Sequence, residues 1–236
     1  MIGLVDWGIG GLGIARSFTR PFLYLSDTGS PPYGELDRRA LAARLRKAVS
    51  LLRDRGAKKI VLACNAASTA LPDLEDIANV SGVILPTIDH VVKLRPKSIV
   101  VVGGRRTILS RVYATAFRSR GIAVTQKIAQ PLSGMIERGE QSSQKFEREV
   151  ARILRDTSRC DALVLAGTHY PAAMPVFEKI FAGRVVDPAA AVLRSIGMRE
   201  KSAAETQIFT TGDPHAMKHA ATRAWGIRIE PKKIGV

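Results

Sequence analysis

Cysteine is nearly absent: Cys64 and Cys160 lie 96 positions apart, with no CxxC spacing. That excludes a disulfide framework and a cysteine-rich zinc site. No apolar run approaches the ~20 residues that span a bilayer, so no membrane partner is expected. The opening MIGLVDWGIGG has neither a basic lead-in nor a small-residue cleavage site, which predicts no secretory leader there and a cytoplasmic protein. Acid is scarce too: 36 Lys and Arg face 21 Asp and Glu, for a net charge of +15. From Arg38 to Lys59, nine basic residues stand against one acid. Leu41, Leu45, Ala48 and Leu52 repeat there at helical spacing as a buried stripe, leaving Arg39, Arg46 and Arg53 on another face. Such a face can meet phosphates, but no aromatic side chain interleaves it to stack a base. A solvated surface is expected, rather than a nucleic-acid interface.

What is present is an apolar content of 46% in 236 residues, enough for one large α/β domain or two small ones. MIGLVD and PFLYLSD read as strands, with the Gly-rich WGIGGLGIARSFT turning and opening a helix between them. A helix over Arg38–Arg55 stops at Gly56 and hands over to the strand KIVLAC. NAASTALPDLEDIA then begins a helical stretch, and GVILPT reads as the next strand. The second half restarts with the strand SIVVVGG and one helix over RRTILSRVYATAFRSRG. IAVTQKIA, DALVLAG, RVVDPA and TQIFTTGD are further strands. GEQSSQKFEREVARILRD and PHAMKHAATRAWG supply helices. This alternation implies α/β architecture with parallel sheets covered by helices. Both halves open with similar strand–turn–helix units, which predicts two pseudo-symmetric Rossmann-like domains facing each other across a cleft.

Two corners of the chain look alike. IVLACNAAS breaks from a strand at Cys64, and LVLAGTHYP breaks at Gly167. Other polar groups also fall at strand ends: Asp6, Asp27 with Thr28, Pro32-Tyr33-Gly34, Asn65, Thr107, and Thr168 with His169. Parallel strands end on one edge of their sheet, so these groups can converge on the cleft. His169, flanked by Thr and Tyr, is read as functional, whereas His90, His215 and His219 have no comparable setting. Cys160 precedes a buried strand and is read as packing. GIGG is not a full GxGxxG, and no ribose-binding acid follows it. A tight turn presenting backbone N–H groups to a carboxylate is the expectation there.

VDWGIGGLG, LSDTGSPPYG, LACNAAS, GGRRT, AGTHYP, VVDPA and FTTGDP occur in that order, and the set resembles the glutamate racemases of the aspartate/glutamate racemase superfamily. The resemblance covers Ile2 to about Pro214. It implies residues 1–94 plus 206–236 as one α/β domain and 95–205 as the second. It also implies racemisation of glutamate or aspartate without a cofactor or metal, by two opposed cysteines that exchange a proton at Cα. Carried onto matching positions, Cys64 is one acid–base, with Asp6 and Asn65 as helpers. Tyr33 and Gly34 lie along the carboxylate side after Pro32, and Thr107, Thr168 and His169 complete the pocket. The expected partner is a small amino acid or dicarboxylic acid, and a homodimer is implied by the family. The chain departs from the family pattern at four positions. Gly167 replaces the second thiol, Trp7 a serine, Ala66 a threonine and Gly104 another threonine. Losing an acid–base on one face removes help worth ~10²–10⁴-fold. Three outcomes follow: His169 substitutes for the thiol, with a water relaying its proton across the gap at Gly167; the cleft performs one-sided chemistry, such as decarboxylation, with Cys64 as lone proton donor; or the scaffold only binds.

Overall fold

The computed structural model describes residues 1–196 and 205–236, so the end of the expected second domain, 197–204, lies outside the described residues. The first stretch runs β1 (Ile2–Asp6), α1 (Leu12–Ala15), β2 (Phe22–Ser26), α2 (Arg38–Arg53), β3 (Lys59–Leu62), α3 (Asn65–Ser68), β4 (Val80–Gly82) and α4 (Ile84–Lys93). The middle runs β5 (Ser98–Gly103), α5 (Arg105–Leu109), α6 (Val112–Arg118), β6 (Ala123–Ile128), α7 (Gln130–Glu137), α8 (Gln144–Ile153), β7 (Ala162–Ala166), α9 (Met174–Ile180), β8 (Arg184–Val186) and α10 (Ala189–Ile196). The last stretch is β9 (Gln207–Thr210), α11 (Pro214–Trp225) and β10 (Lys232–Lys233).

These strands form two parallel sheets, one in the order β10-β9-β2-β1-β3-β4 and one in the order β6-β5-β7-β8. The core of each sheet repeats one winding: β2-β1-β3-β4 corresponds to β6-β5-β7-β8. A doubly wound sheet has its crevice where the winding reverses, at the carboxyl ends of the strands. In the first sheet that point lies between β1 and β3, next to Asp6 and Cys64. In the second it lies between β5 and β7, next to Gly103 and Gly167. Cys64 and Gly167 are thus equivalent positions in two copies of one design.

Both faces of each sheet are covered, which is why the strands read as unbroken Val, Ile, Leu and Ala rather than as alternation. β5 and β7 are buried almost throughout. α2 begins where Asp37 accepts the Ala40 N–H at 2.7 Å, and buries Leu41, Leu45, Ala48 and Leu52 as its spacing predicts. It ends shortly before Gly56, whose φ of +91° is open to glycine at no steric cost.

Several elements differ from expectation. GVILPT is not a strand: the chain pairs over Val80–Gly82 and coils into α4 from Ile84. Pro86 then sits in the first helical turn, where a missing N–H costs nothing. RRTILSRVYATAFRSRG forms two helices, broken by Arg111 at φ +59°. α7 was not anticipated, and α1 is a single turn. Of the three arginines expected on one face of α2, Arg39 is exposed and the other two are engaged. Arg46 pairs with Asp76 at 2.7 Å, Arg38 pairs with Asp73, and Arg53 donates to the Ala78 carbonyl. No helix among the described residues is long and apolar enough to cross a membrane.

Candidate active site

A cleft of about 880 Å³ opens where the two crevices meet, and apart from Asp27 and Thr28 the residues singled out from the sequence as site candidates lie along its wall. Asp6 ends β1 and is 1% exposed. Its carboxylate accepts the Trp7 N–H at 2.7 Å and the Gly11 N–H at 2.5 Å. The glycine turn thus does present backbone donors to a carboxylate, but the carboxylate is the chain's own. Thr168 reaches the same group from the second sheet, at 3.5 Å. That approach explains Gly10, because a Cβ there would stand 2.4 Å from Thr168 Oγ1 and 2.7 Å from His169 Nδ1. Burial raises the Asp6 pKa, against the opposing charge of His169 and the two backbone donors.

Cys64 follows β3 as the extended residue that caps α3, within hydrogen-bonding reach of Asp6. Burial, then the Asp6 charge, pushes its thiol far above the ordinary value. Asn65 is buried beside it. Its Oδ1 accepts the Tyr113 hydroxyl at 2.7 Å, while its Nδ2 has no partner. An unsatisfied buried donor at the edge of a cleft is a vacant place for an acceptor. Trp7 forms a wall, held by its indole N–H on the Ser30 carbonyl at 3.1 Å. Pro32 and Gly34 border the opening, but the Tyr33 hydroxyl turns away to donate to Asp27 at 2.8 Å. Only main chain at Tyr33 and Gly34 is therefore available to a ligand. Asp27, read as a strand-end candidate, is absorbed with Arg44 and Thr211 into a buried network. Ala66 completes this side of the wall, while Gly104 and the buried Thr107, which follow β5, line the cleft from the second sheet.

On the opposite wall, Gly167 leaves no gap for a water. The ring of Tyr170 lies over it, 2.5 Å from where a Cβ would stand, with its hydroxyl on the Ala129 carbonyl at 3.1 Å. His169 is 8% exposed, and its Nε2 meets Glu137 Oε1 at 2.8 Å. Burial alone would lower the His169 pKa, but Glu137 and then Asp6 outweigh it and raise the value. Glu137 is lowered in turn: burial opposes its charge, and His169 overcomes that. Each partner thus favours the charged form of the other, and His169 also feels the charge of Asp6. Glu137 ends α7, a helix with no clear sequence signal, so neither its spacing nor its neighbours could have singled it out. Arg106 was also missed. It crosses to the first sheet's loops, donating to Thr69 at 2.9 Å and to the Leu36 carbonyl at 2.6 Å. Among the described residues, no group of three or more His, Cys, Asp or Glu side chains is arranged to hold a metal ion.

Two doubly wound parallel sheets of matching order, meeting at a cleft that sets a thiol beside a buried carboxylate, define a racemase-like class of protein. The Asp/Glu/Hydantoin racemase family model matches residues 18–196, and the chain belongs to that family. It is 30% identical over 247 residues to a glutamate racemase of Koribacter versatilis, covering 98% of this chain and 81% of that protein. With a glutamate racemase of Pseudomonas entomophila it shares 29% identity over 251 residues, 95% of this chain and 93% of the relative. Among solved structures, glutamate racemase isoform RacE1 of Bacillus anthracis superimposes with a TM-score of 0.89 at 25% identity, covering 100% and 97% of the two chains. Glutamate racemase of Thermus thermophilus, in complex with β-chloro-D-alanine, gives 0.84 at 26% identity, covering 100% and 96%. The chain is an amino-acid-racemase-like protein of α/β fold.

Proposed function

We propose that the cleft transfers protons at the Cα of a small amino or dicarboxylic acid without a cofactor, with Cys64 as acid–base on one face. The observation that carries this is Cys64 beside Asp6 at the winding reversal of the first sheet, facing His169 and Glu137 from the second. The cleft would lie between a unit of residues 1–94 plus 206–236 and a unit of 95–205. The unpaired Asn65 Nδ2 and main chain at Tyr33 and Gly34 would receive the substrate carboxylate, beside Thr107 and Thr168. Asp6 would hold the ammonium. That cation offsets the repulsion between Asp6 and a thiolate, so substrate itself favours the charged form of Cys64. The thiolate takes the Cα proton and becomes a thiol, and the bond's electron pair passes into the substrate carboxylate. A proton from the His169 imidazolium, held charged by Glu137, returns to the opposite face of Cα. Inversion leaves a neutral histidine and a thiol, and both reset through solvent. Glutamate is the first substrate to try, since the relatives carry that name.

The Tyr170 ring over Gly167 favours a second reading, because it puts an apolar surface where the family keeps a thiol. A malonate-like acid would lose carbon dioxide there: the carbon–carboxyl bond breaks, its electron pair stays on carbon, and Cys64 donates the proton. Incubation with L- and D-glutamate and L- and D-aspartate in D₂O separates the readings. The first predicts Cα deuteration with inversion, abolished by Cys64→Ala and cut by ~10²-fold or more in His169→Ala. No deuteration by wild-type protein, with Cys64-dependent release of carbon dioxide from a phenylmalonate, would replace the first reading with the second.

A further inference from the structure

The strongest feature left unused by that chemistry is the cationic outer wall of the cleft. Lys145, Arg148, Glu149 and Arg152 recur on one face of α8 at positions i, i+3, i+4 and i+7, opposite the buried Phe146, Val150 and Ile153. All four line the cleft, as does Arg138 at the end of α7. The acids nearby are already engaged. Glu149 binds Arg152 at 2.6 Å, Glu140 binds Arg138, and Glu137 binds His169. Among the described residues, Lys145 and Arg148 form no ion pair within 4 Å, although Lys145 is near enough to Glu140 to help lower its pKa, so two cations without a contact partner line the opening. Size points the same way. Ten separate waters take up about 300 Å³ of liquid, and a free amino acid of about ten covalently joined heavy atoms takes up less than that. More than half of the 880 Å³ cleft stays unfilled by such a ligand.

We infer that the substrate is an acid whose far end carries a multiply charged anionic group, a phosphate or grouped carboxylates, seated on Lys145 and Arg148 while its α-carbon faces Cys64. This rests on the proposed proton transfer for its inner end only. Two cations on adjacent turns can share one polyanion, and hydrogen bonds between charged partners are the strong ones. A cleft wall of low dielectric concentrates the attraction further.

The test is calorimetric titration with pyrophosphate and, separately, with tricarballylate at 150 mM salt, which needs no turnover. Saturable one-to-one binding of either probe is expected, and the one that binds identifies the anion as phosphate or carboxylate. Lys145→Ala with Arg148→Ala should weaken that binding about tenfold or more. Arg39→Ala with Lys47→Ala, on the exposed side of α2, is the control and should leave it within about twofold. Absence of saturable binding by both probes, or equal weakening in the two double variants, overturns the inference. If a probe binds as expected but no amino acid exchanges its Cα proton, only the proposed chemistry falls. If glutamate exchanges but neither probe binds, only the anion subsite falls.

Discussion

Tyr170 and Gly167 show how one missing β-carbon reshapes a wall. With the ring 2.5 Å from the Cβ position, a thiol cannot be restored by Gly167→Cys alone. That variant is expected to lose about 1–3 kcal/mol of stability through overpacking, read as a lower melting temperature, with no gain in inversion. Combining it with Tyr170→Ala should clear the space and raise glutamate inversion, measured by polarimetry, above both single variants. Cys64 carries a prediction of opposite character. Burial and Asp6 hold its proton well past the ordinary thiol value, and only the deprotonated form is a base. kcat/KM for Cα exchange should therefore climb with pH above about 7, by up to about tenfold per unit, until His169 begins to lose the proton it returns to the substrate. A plateau near pH 8 that persists in the residual exchange of His169→Ala would mean the thiol is not held this way.

At the scale of elements, the Glu137–His169 couple ties the end of α7 to the turn after β7. Glu137 is lowered from its ordinary 4.5, so its stabilising contribution is present above that value and fades as pH falls through the folded one. His169 is raised from 6.5, so its contribution is present below that value and fades as pH rises through the folded one. Both contributions are whole only between those two values. The stability gap between wild type and Glu137→Gln, from urea melts, should be widest there and shrink on either side. A simpler expectation attaches to α2. The Asp37 side chain caps its first turn, so Asp37→Ala should cost about 1 kcal/mol while leaving the cleft intact.

Across the whole molecule, Asp27 gathers distant parts of the chain. Its carboxylate receives Arg44 from α2 at 2.7 and 2.5 Å, Tyr33 at 2.8 Å, and Thr211 just beyond β9 at 2.8 Å. Arg44 also donates to the Val236 carbonyl at 2.9 Å. Asp27 is fully buried while Arg44 is 21% exposed, so removing the arginine leaves the buried charge uncompensated. Arg44→Ala should thus destabilise the protein by about 3–5 kcal/mol in denaturant melts, far more than loss of any exposed α2 arginine. Because this network also fixes the Tyr33 ring, the same variant should raise KM for the carboxylate substrate.

Much of this architecture was legible in the linear chain. Apolar runs closed by glycine and polar corners imply parallel strands, since a strand buried on both faces has no polar side to alternate with. The order of corners at Asp6, Cys64, Thr107 and His169 was enough to gather one site. Other features were beyond local pattern. GVILPT is β-branched and apolar yet coils, because pairing with β3 is already complete at Gly82. The partnership of Glu137 with His169, the placement of Tyr170 over Gly167 and the cationic wall of α8 join residues far apart or on different elements. Composition and periodicity report which face of an element is buried; only the packing of one sheet's edge against the other decides what that face meets.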